Sequence, residues 1–223
     1  MPVGSKTRIG TWNVRKLKEL GKFNTICNEM DRNNIAVLGV SETNCTATDD
    51  EINEFYESLQ EALDSIPRRD IQLILGDFYV KVGKQTYTSE TIGTFGLGEQ
   101  NERGEKLLDF CKANNLSISN TFHKHHPRHL YTWTSPDNKM RNQIDYILLN
   151  TKWRSSIKDV KTRPRADCNS YHQLLTIDIK LRLKKMQKPI PPLRLDLANM
   201  NSTYNNEISN RFSILLETII ITK

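Results

Sequence analysis

Five short segments place an acidic, amide or imidazole side chain where an apolar run stops. They are Thr11-Trp12-Asn13-Val14, Ser41-Glu42, Gly76-Asp77-Phe78, Gln143-Ile144-Asp145-Tyr146-Ile147 and Ser170-Tyr171-His172. Such groups come together only if the strands that carry them end side by side. Carboxylates at several strand ends plus one His suit metal-assisted hydrolysis of a phosphodiester.

Each position also has a plainer reading. Glu42 follows the apolar run Ile35 to Val40. It can hold a magnesium ion, which takes oxygen ligands, or sit solvated at a strand end. Asp77 follows Leu73-Ile74-Leu75-Gly76. Glycine permits a sharp exit there, and the acid can orient a water or cap a turn. Asp145 interrupts an otherwise apolar run, where unpaired burial of a charge is costly, so it demands a partner. His172 is the only His outside 123–129 and is the natural one, either to orient an imidazole beside a phosphate or as a structural hydrogen bond. Trp133 suits stacking on a nucleotide or a place in the core. His123, His125, His126 and His129 have no neighbouring Cys or acid and flank Pro127, which reads as a solvated basic loop.

Residues 7–13 read as a strand. Leu17, Leu20, Phe23, Ile26 and Met30 give an amphipathic helix. The runs 35–40 and 71–75 suit strands buried on both faces. A second helix begins near Asp49 and closes at Pro67, 84–101 is loop, and a third helix spans 102–114. Strands are expected at 116–121, 130–134, 142–149 and 175–183. Helices interleaved with buried strands early, and strands clustered late, indicate an α/β sandwich. Pro189, Pro191 and Pro192 mark a linker. Beyond it, Tyr204, Ile208, Phe212, Leu215 and Ile219 form one amphipathic helix, docked on its own domain or binding a partner. The expected domains are 7–184 and 185–223.

At 223 residues, 37% apolar and 26% charged, the chain has a globular composition. Residues 1–100 hold 11 basic and 15 acidic residues, and residues 101–223 hold 21 and 11. The second part is therefore net +10, which favours a polyanionic partner such as nucleic acid, although a soluble basic surface gives the same balance. Cys27, Cys45, Cys111 and Cys168 form no CxxC pair, so neither a zinc site nor a disulfide framework is expected, and the compartment should be reducing. No apolar run reaches the roughly 20 residues of a membrane span.

Taken in order, these motifs resemble the exonuclease–endonuclease–phosphatase superfamily of metal-dependent phosphodiesterases. The segments Ile9 to Arg15, Gly96 to Gly98, Tyr131 to Asp137, Arg141 to Leu148 and Trp153 to Ile157 are similar to one clade. That clade is the endonuclease domains of non-LTR retrotransposons, which takes in craniofacial development protein 2-like chains. The resemblance runs over about residues 7–212.

It implies a Mg2+ ion, or Mn2+, on Glu42. Asn13 would place the phosphate and metal ligands, Asp77 would orient the water, and Asp145 would hold His172 against the phosphate. Trp133 and Arg141 would contact substrate. The partner would be DNA, with no membrane and no obligate protein partner, and residence intracellular, in the nucleus.

Three departures from the pattern follow. Tyr79 stands where the family has an Asn after Gly-Asp-Trp/Phe. Tyr171 stands where it has the Asp of Ser-Asp-His, and a phenol with a pKa of about 10 supplies no such charge at neutral pH. A block of strands that the family carries after about residue 46 is missing. The expectation is a DNA endonuclease by descent, weakly active or inactive, with a non-catalytic nucleic-acid binder or a pseudogene product as the alternatives.

Overall fold

The computed structural model describes residues 5–15, 17–19, 21–41, 48–67, 69–181, 206–211 and 213. Leu20, Glu42, Cys45, the Pro189–Pro192 linker, and Tyr204, Phe212, Leu215 and Ile219 of the C-terminal pattern lie outside them. The chain falls into two compact units, Met1–Leu183 and Lys184–Lys223. In the second, residues 206–211 are helical.

The first unit is an α/β sandwich. One sheet has the order β2 (Val37–Ser41), β1 (Thr7–Asn13), β9 (Leu174–Ile179), β8 (Ile157–Arg163). The other is β3 (Leu73–Asp77), β7 (Asp145–Asn150), β4 (Leu116–Ile118). β5 (Trp133–Thr134) and β6 (Arg141–Asn142) form a separate hairpin.

Alternation along β7 shows how the layers form. Ile147 and Leu149 point to the core between the sheets, with Ile9, Val160, Leu175 and Ile177. Tyr146 and Leu148 point the other way, to Leu63 of α2 (Asp49–Asp64) and Leu107, Leu108 and Cys111 of α3 (Glu102–Ala113). Both faces of β7 are thus covered, and all six of its residues are buried. On the far side of the first sheet, Trp12, Val14 and Leu174 pack on Ile26 of α1 (Lys22–Arg32).

Local chemistry starts the helices. Thr48 and Glu51 form a capping box at α2, and Asp49, Asp50 and Glu51 complement its dipole. Asn101 caps α3 by accepting the Gly104 amide. The loop 78–101 closes on itself at Gly96, where a Cβ would meet the Gly83 carbonyl oxygen at 1.9 Å.

Several expectations are corrected. α1 begins at Lys22, with Gly21 at its N-cap in the left-handed region, so Leu17 lies in a turn and is exposed. β2 and β3 are edge strands, not strands buried on both faces: Val37 is 52% and Val40 41% exposed, and β3 is half-buried throughout. Their apolar sequences suit central strands, but among the described residues each has a neighbour on one side only. The expected strand 116–121 turns at Ser119 into a 3-10 segment, and 130–134 contributes only Trp133–Thr134. The strand expected at 142–149 is split between β6 and β7, and that expected at 175–183 is Leu174–Ile179.

β8 was not expected at all. A bulge between Ile157 and Asp159 breaks its period-two pattern, and charged side chains fill its outer face. The 123–129 loop is exposed at Lys124, His126, Pro127 and Arg128, as a solvated basic loop would be, but two of its histidines are docked. His125 Nε2 lies 2.7 Å from Asp159 Oδ1, and His129 Nδ1 lies 3.1 Å from the Thr162 carbonyl oxygen.

Tyr146 ties the loop after Asp77 to β7. Its hydroxyl donates to the Gln143 carbonyl at 2.6 Å and accepts the Val82 amide at 3.2 Å, with the residue fully buried. Tyr146→Phe leaves both groups unpaired, and we expect it to lower unfolding free energy by about 1–3 kcal/mol in urea denaturation.

Candidate active site

Four segments distant in sequence meet at one end of the two sheets. β1 ends at Asn13, β3 ends at Asp77, and β7 begins at Asp145, which is opposite Asp77 in the antiparallel register. His172 precedes β9. Like charges directly opposite each other repel, and His172 lies between these two. Its Nδ1 is 3.0 Å from Asp145 Oδ2 and its Nε2 is 3.7 Å from Asp77 Oδ2. With Asp145 as acceptor, Nδ1 carries the proton and Nε2 faces Asp77.

The rest of the chain fixes these groups. Asn13 Nδ2 donates to Asp77 Oδ2 and the Tyr79 amide donates to Asp77 Oδ1, both at 3.0 Å. Asp145 is held through its backbone: its amide donates to Thr132 Oγ1 at 3.0 Å, and its carbonyl accepts Asn120 Nδ2 at 2.9 Å. The His172 carbonyl accepts the Trp12 indole N–H at 2.9 Å. Its amide donates to Ser170 Oγ, which in turn donates to the Asn13 carbonyl at 2.6 Å.

The supporting roles of Asn120, Thr132, Trp12 and Ser170 were not foreseen. For Asn120 and Thr132 the only available signal is burial, which sequence does not report; they are 2% and 0% exposed.

Burial pushes the Asp145 carboxyl up to about 6, opposed by the hydrogen bond and charge of His172. Burial alone would lower His172, but its bond to Asp145 and the charges of Asp145 and Asp77 outweigh it, so the imidazole stays above its ordinary value. The pair therefore holds a proton more tightly than its members would in water.

Asp77, Asp145 and His172 each offer one ligand atom, all within 4.8 Å of one another, and so could hold a metal ion. Two carboxylates fit a hard divalent cation, which prefers oxygen. Since Asp145 is engaged with His172, Asp77 is the better-placed carboxylate. Glu42, next in the chain after β2, lies outside the described residues.

Of the remaining expected residues, Trp133 is partly buried and bridges backbone to backbone with His172. Arg141 is exposed, its guanidinium 4.9 Å from the Tyr131 ring centre. Tyr79 and Tyr171 are both exposed. Tyr79 adopts a left-handed φ of 56°, and the Arg15 guanidinium lies 4.6 Å over the Tyr171 ring.

This sandwich has the endonuclease/exonuclease/phosphatase fold. It superposes on the endonuclease domain of TRAS1, a telomere-specific non-LTR retrotransposon, with a TM-score of 0.57 and 12% identity, covering 80% of this chain and all of that one. In sequence, the chain is similar to Craniofacial development protein 2 of Tragulus javanicus, 36% identical over 256 residues, and of Bos taurus, 35% over 269 residues. These matches take in 83% and 89% of the chain but only 44% and 45% of the relatives, so the chain spans less than half their length. No family model matches. Since 83% of 223 residues is about 185, about 70 positions of the first relative's 256-residue match have no counterpart here.

Both raised values carry the same sign. Folding binds protons at Asp145 and His172 that the unfolded chain releases at lower pH. The pair's contribution to stability is therefore full at low pH and declines as pH rises from about 4 to above about 6.5. Asp145→Asn should flatten this part of the melting-temperature profile. By NMR titration it should also drop the His172 pKa below that of the wild type, because burial then acts without the carboxylate.

Proposed function

We propose that the chain is a metal-dependent phosphodiesterase domain of retrotransposon descent that acts on DNA with a small residual turnover. The observation that carries this reading is the chain Asn13, Asp77, His172, Asp145, assembled from four separate segments at one end of the sheets. The likeness in fold to a retrotransposon endonuclease domain supports it.

In this reading Asp77, braced by Asn13 and the Tyr79 amide, orients the attacking water. His172, kept protonated by Asp145, presents Nε2 to a phosphate oxygen and stabilises the charge that builds there. Mg2+, or Mn2+, held by Asp77 with Glu42, would neutralise phosphate charge and activate the water. With DNA as substrate, the nucleus is the expected place of action.

Tyr79 and Tyr171 account for the small turnover. Neither supplies the amide or carboxylate of the family pattern, and the Tyr171 ring instead lies under Arg15. A missing block of strands after about residue 46 would fit the edge positions of β2 and β3. The basic second part of the sequence, net +10, favours a second reading, a non-catalytic nucleic-acid binder.

Incubation with supercoiled plasmid separates the two. We expect slow Mg2+-dependent nicking that EDTA abolishes, that His172→Ala lowers by roughly 10²–10⁴-fold, and that Tyr79→Asn with Tyr171→Asp raises. Folded protein that binds DNA with a steep salt dependence, yet nicks in neither form, would leave only the second reading.

A further inference from the structure

The end of the sandwich opposite the candidate active site carries a cavity of its own. On the β3–β7 ladder Asp77 faces Asp145 at the catalytic end, and Leu73 faces Leu149 at the other. The cavity opens beyond that second end, at Gln72 and Asn150. Leu63 and Asp64 from the end of α2, Ala113 from the end of α3, and Lys152 also line it. Its volume is about 390 Å³, within the roughly 300–1,000 Å³ of ligand sites.

One atom of this wall is unsatisfied. Asn150 is 7% exposed, and its Nδ2 donates to the Asp70 carbonyl at 3.1 Å. Its buried Oδ1 has no hydrogen-bond partner among the described residues. A buried acceptor left unpaired is costly, so this oxygen calls for a donor. Lys152 is turned elsewhere, with its ammonium 5.8 Å from the centre of the Trp153 ring.

The helix α2 brings charge to the same place. Asp50, Glu54, Glu57, Glu61 and Asp64 follow one another at alternating steps of four and three, which sets them in one stripe along the helix. All five are exposed, and among the described residues none forms an ion pair; the α2 acid that does is Asp49, 3.9 Å from Arg103. The helix contains no Lys, Arg or His, so nothing in its last turn offsets the negative end of its dipole. Like charges three and four residues apart weaken a helix. The stripe therefore opposes folding, runs for about 21 Å at 1.5 Å per residue, and ends at Asp64 on the cavity wall.

We propose that α2 and this cavity bind a basic polypeptide segment of a partner protein: its cationic side chains lie along the acidic stripe, and one of them enters the cavity. There its ammonium or guanidinium donates to Asn150 Oδ1 beside the Asp64 carboxylate. A cation with N–H groups answers both features at once, since it supplies the missing donor and neutralises the stripe. About six residues of extended chain cover the stripe. The surface is separate from the catalytic end and does not depend on catalysis there.

The probe is a fluorescein-labelled octapeptide of alternating Arg and Ala, followed by fluorescence anisotropy on the full chain. Wild type should bind it, and added salt should weaken the complex. Glu54→Gln with Glu57→Gln and Glu61→Gln should weaken binding by roughly 5- to 100-fold, while the melting temperature holds or rises because the repulsion is gone. Ala113→Trp, at an exposed helix end, places a ring in the cavity and leaves every acid in place. It should weaken binding by roughly 10-fold or more without lowering the melting temperature. No binding by wild type, or binding unchanged in the triple variant, overturns the proposal. Loss in the triple variant with Ala113→Trp binding as wild type does marks a non-specific acidic surface, and overturns it as well.

Discussion

The contact on which the site depends is the one between His172 and Asp145, at 3.0 Å in a place where the carboxylate is 1% exposed. Asp145 faces Asp77 across the β3–β7 ladder, so closing that pair of strands brings two acids together. An imidazole between them turns a repulsion into a hydrogen-bonded row. It also links the two sheets, because Asp145 begins a strand of one and His172 leads into a strand of the other. Burial raises the cost of each lone charge and, by the same physics, the worth of each partner. The segment 170–173 is accordingly sewn to both sides, through Trp12 and Ser170 toward β1 and through Thr132 and Thr134 toward β5.

How much of this could be read from the sequence follows from how local each signal is. Asp145 declared itself because a charge stood in an apolar run, and His172 because no other His lay outside one cluster. Helices α2 and α3 announced their own starts through Thr48 to Glu51 and Asn101. What escaped was decided at a distance. β8 hides its pattern behind a bulge, and pairing with β9 makes it a strand. β2 and β3 have the composition of central strands but lie at edges, since neighbours rather than composition settle that. Of the 123–129 histidines, His125 met an acid, Asp159, more than thirty residues later in the chain.

The hairpin β5–β6 shows how function can gather on an element too short to stand alone. Two residues on each side pair, Trp133 with Asn142 and Thr134 with Arg141. Two-stranded pieces of this size hold only when packed on something larger. Here that support is the row Thr132, Tyr171 and Gln173, whose backbone bonds fasten the hairpin to the strand-end that bears His172. A side chain on the hairpin is therefore tied through backbone bonds to the segment that bears the imidazole.

Among the described residues nothing pairs with the outer edge of β2, and that bears on how one copy meets another. Val37-Leu38-Gly39-Val40 carries no charge, no proline and no bulge to turn a visitor away, and its outer side chains are half in water. An edge of that kind matches the same edge on every other copy. Pairing of that kind is second order in protein, so it would weigh more at higher concentration. A lysine on that strand would make such pairing between copies costly.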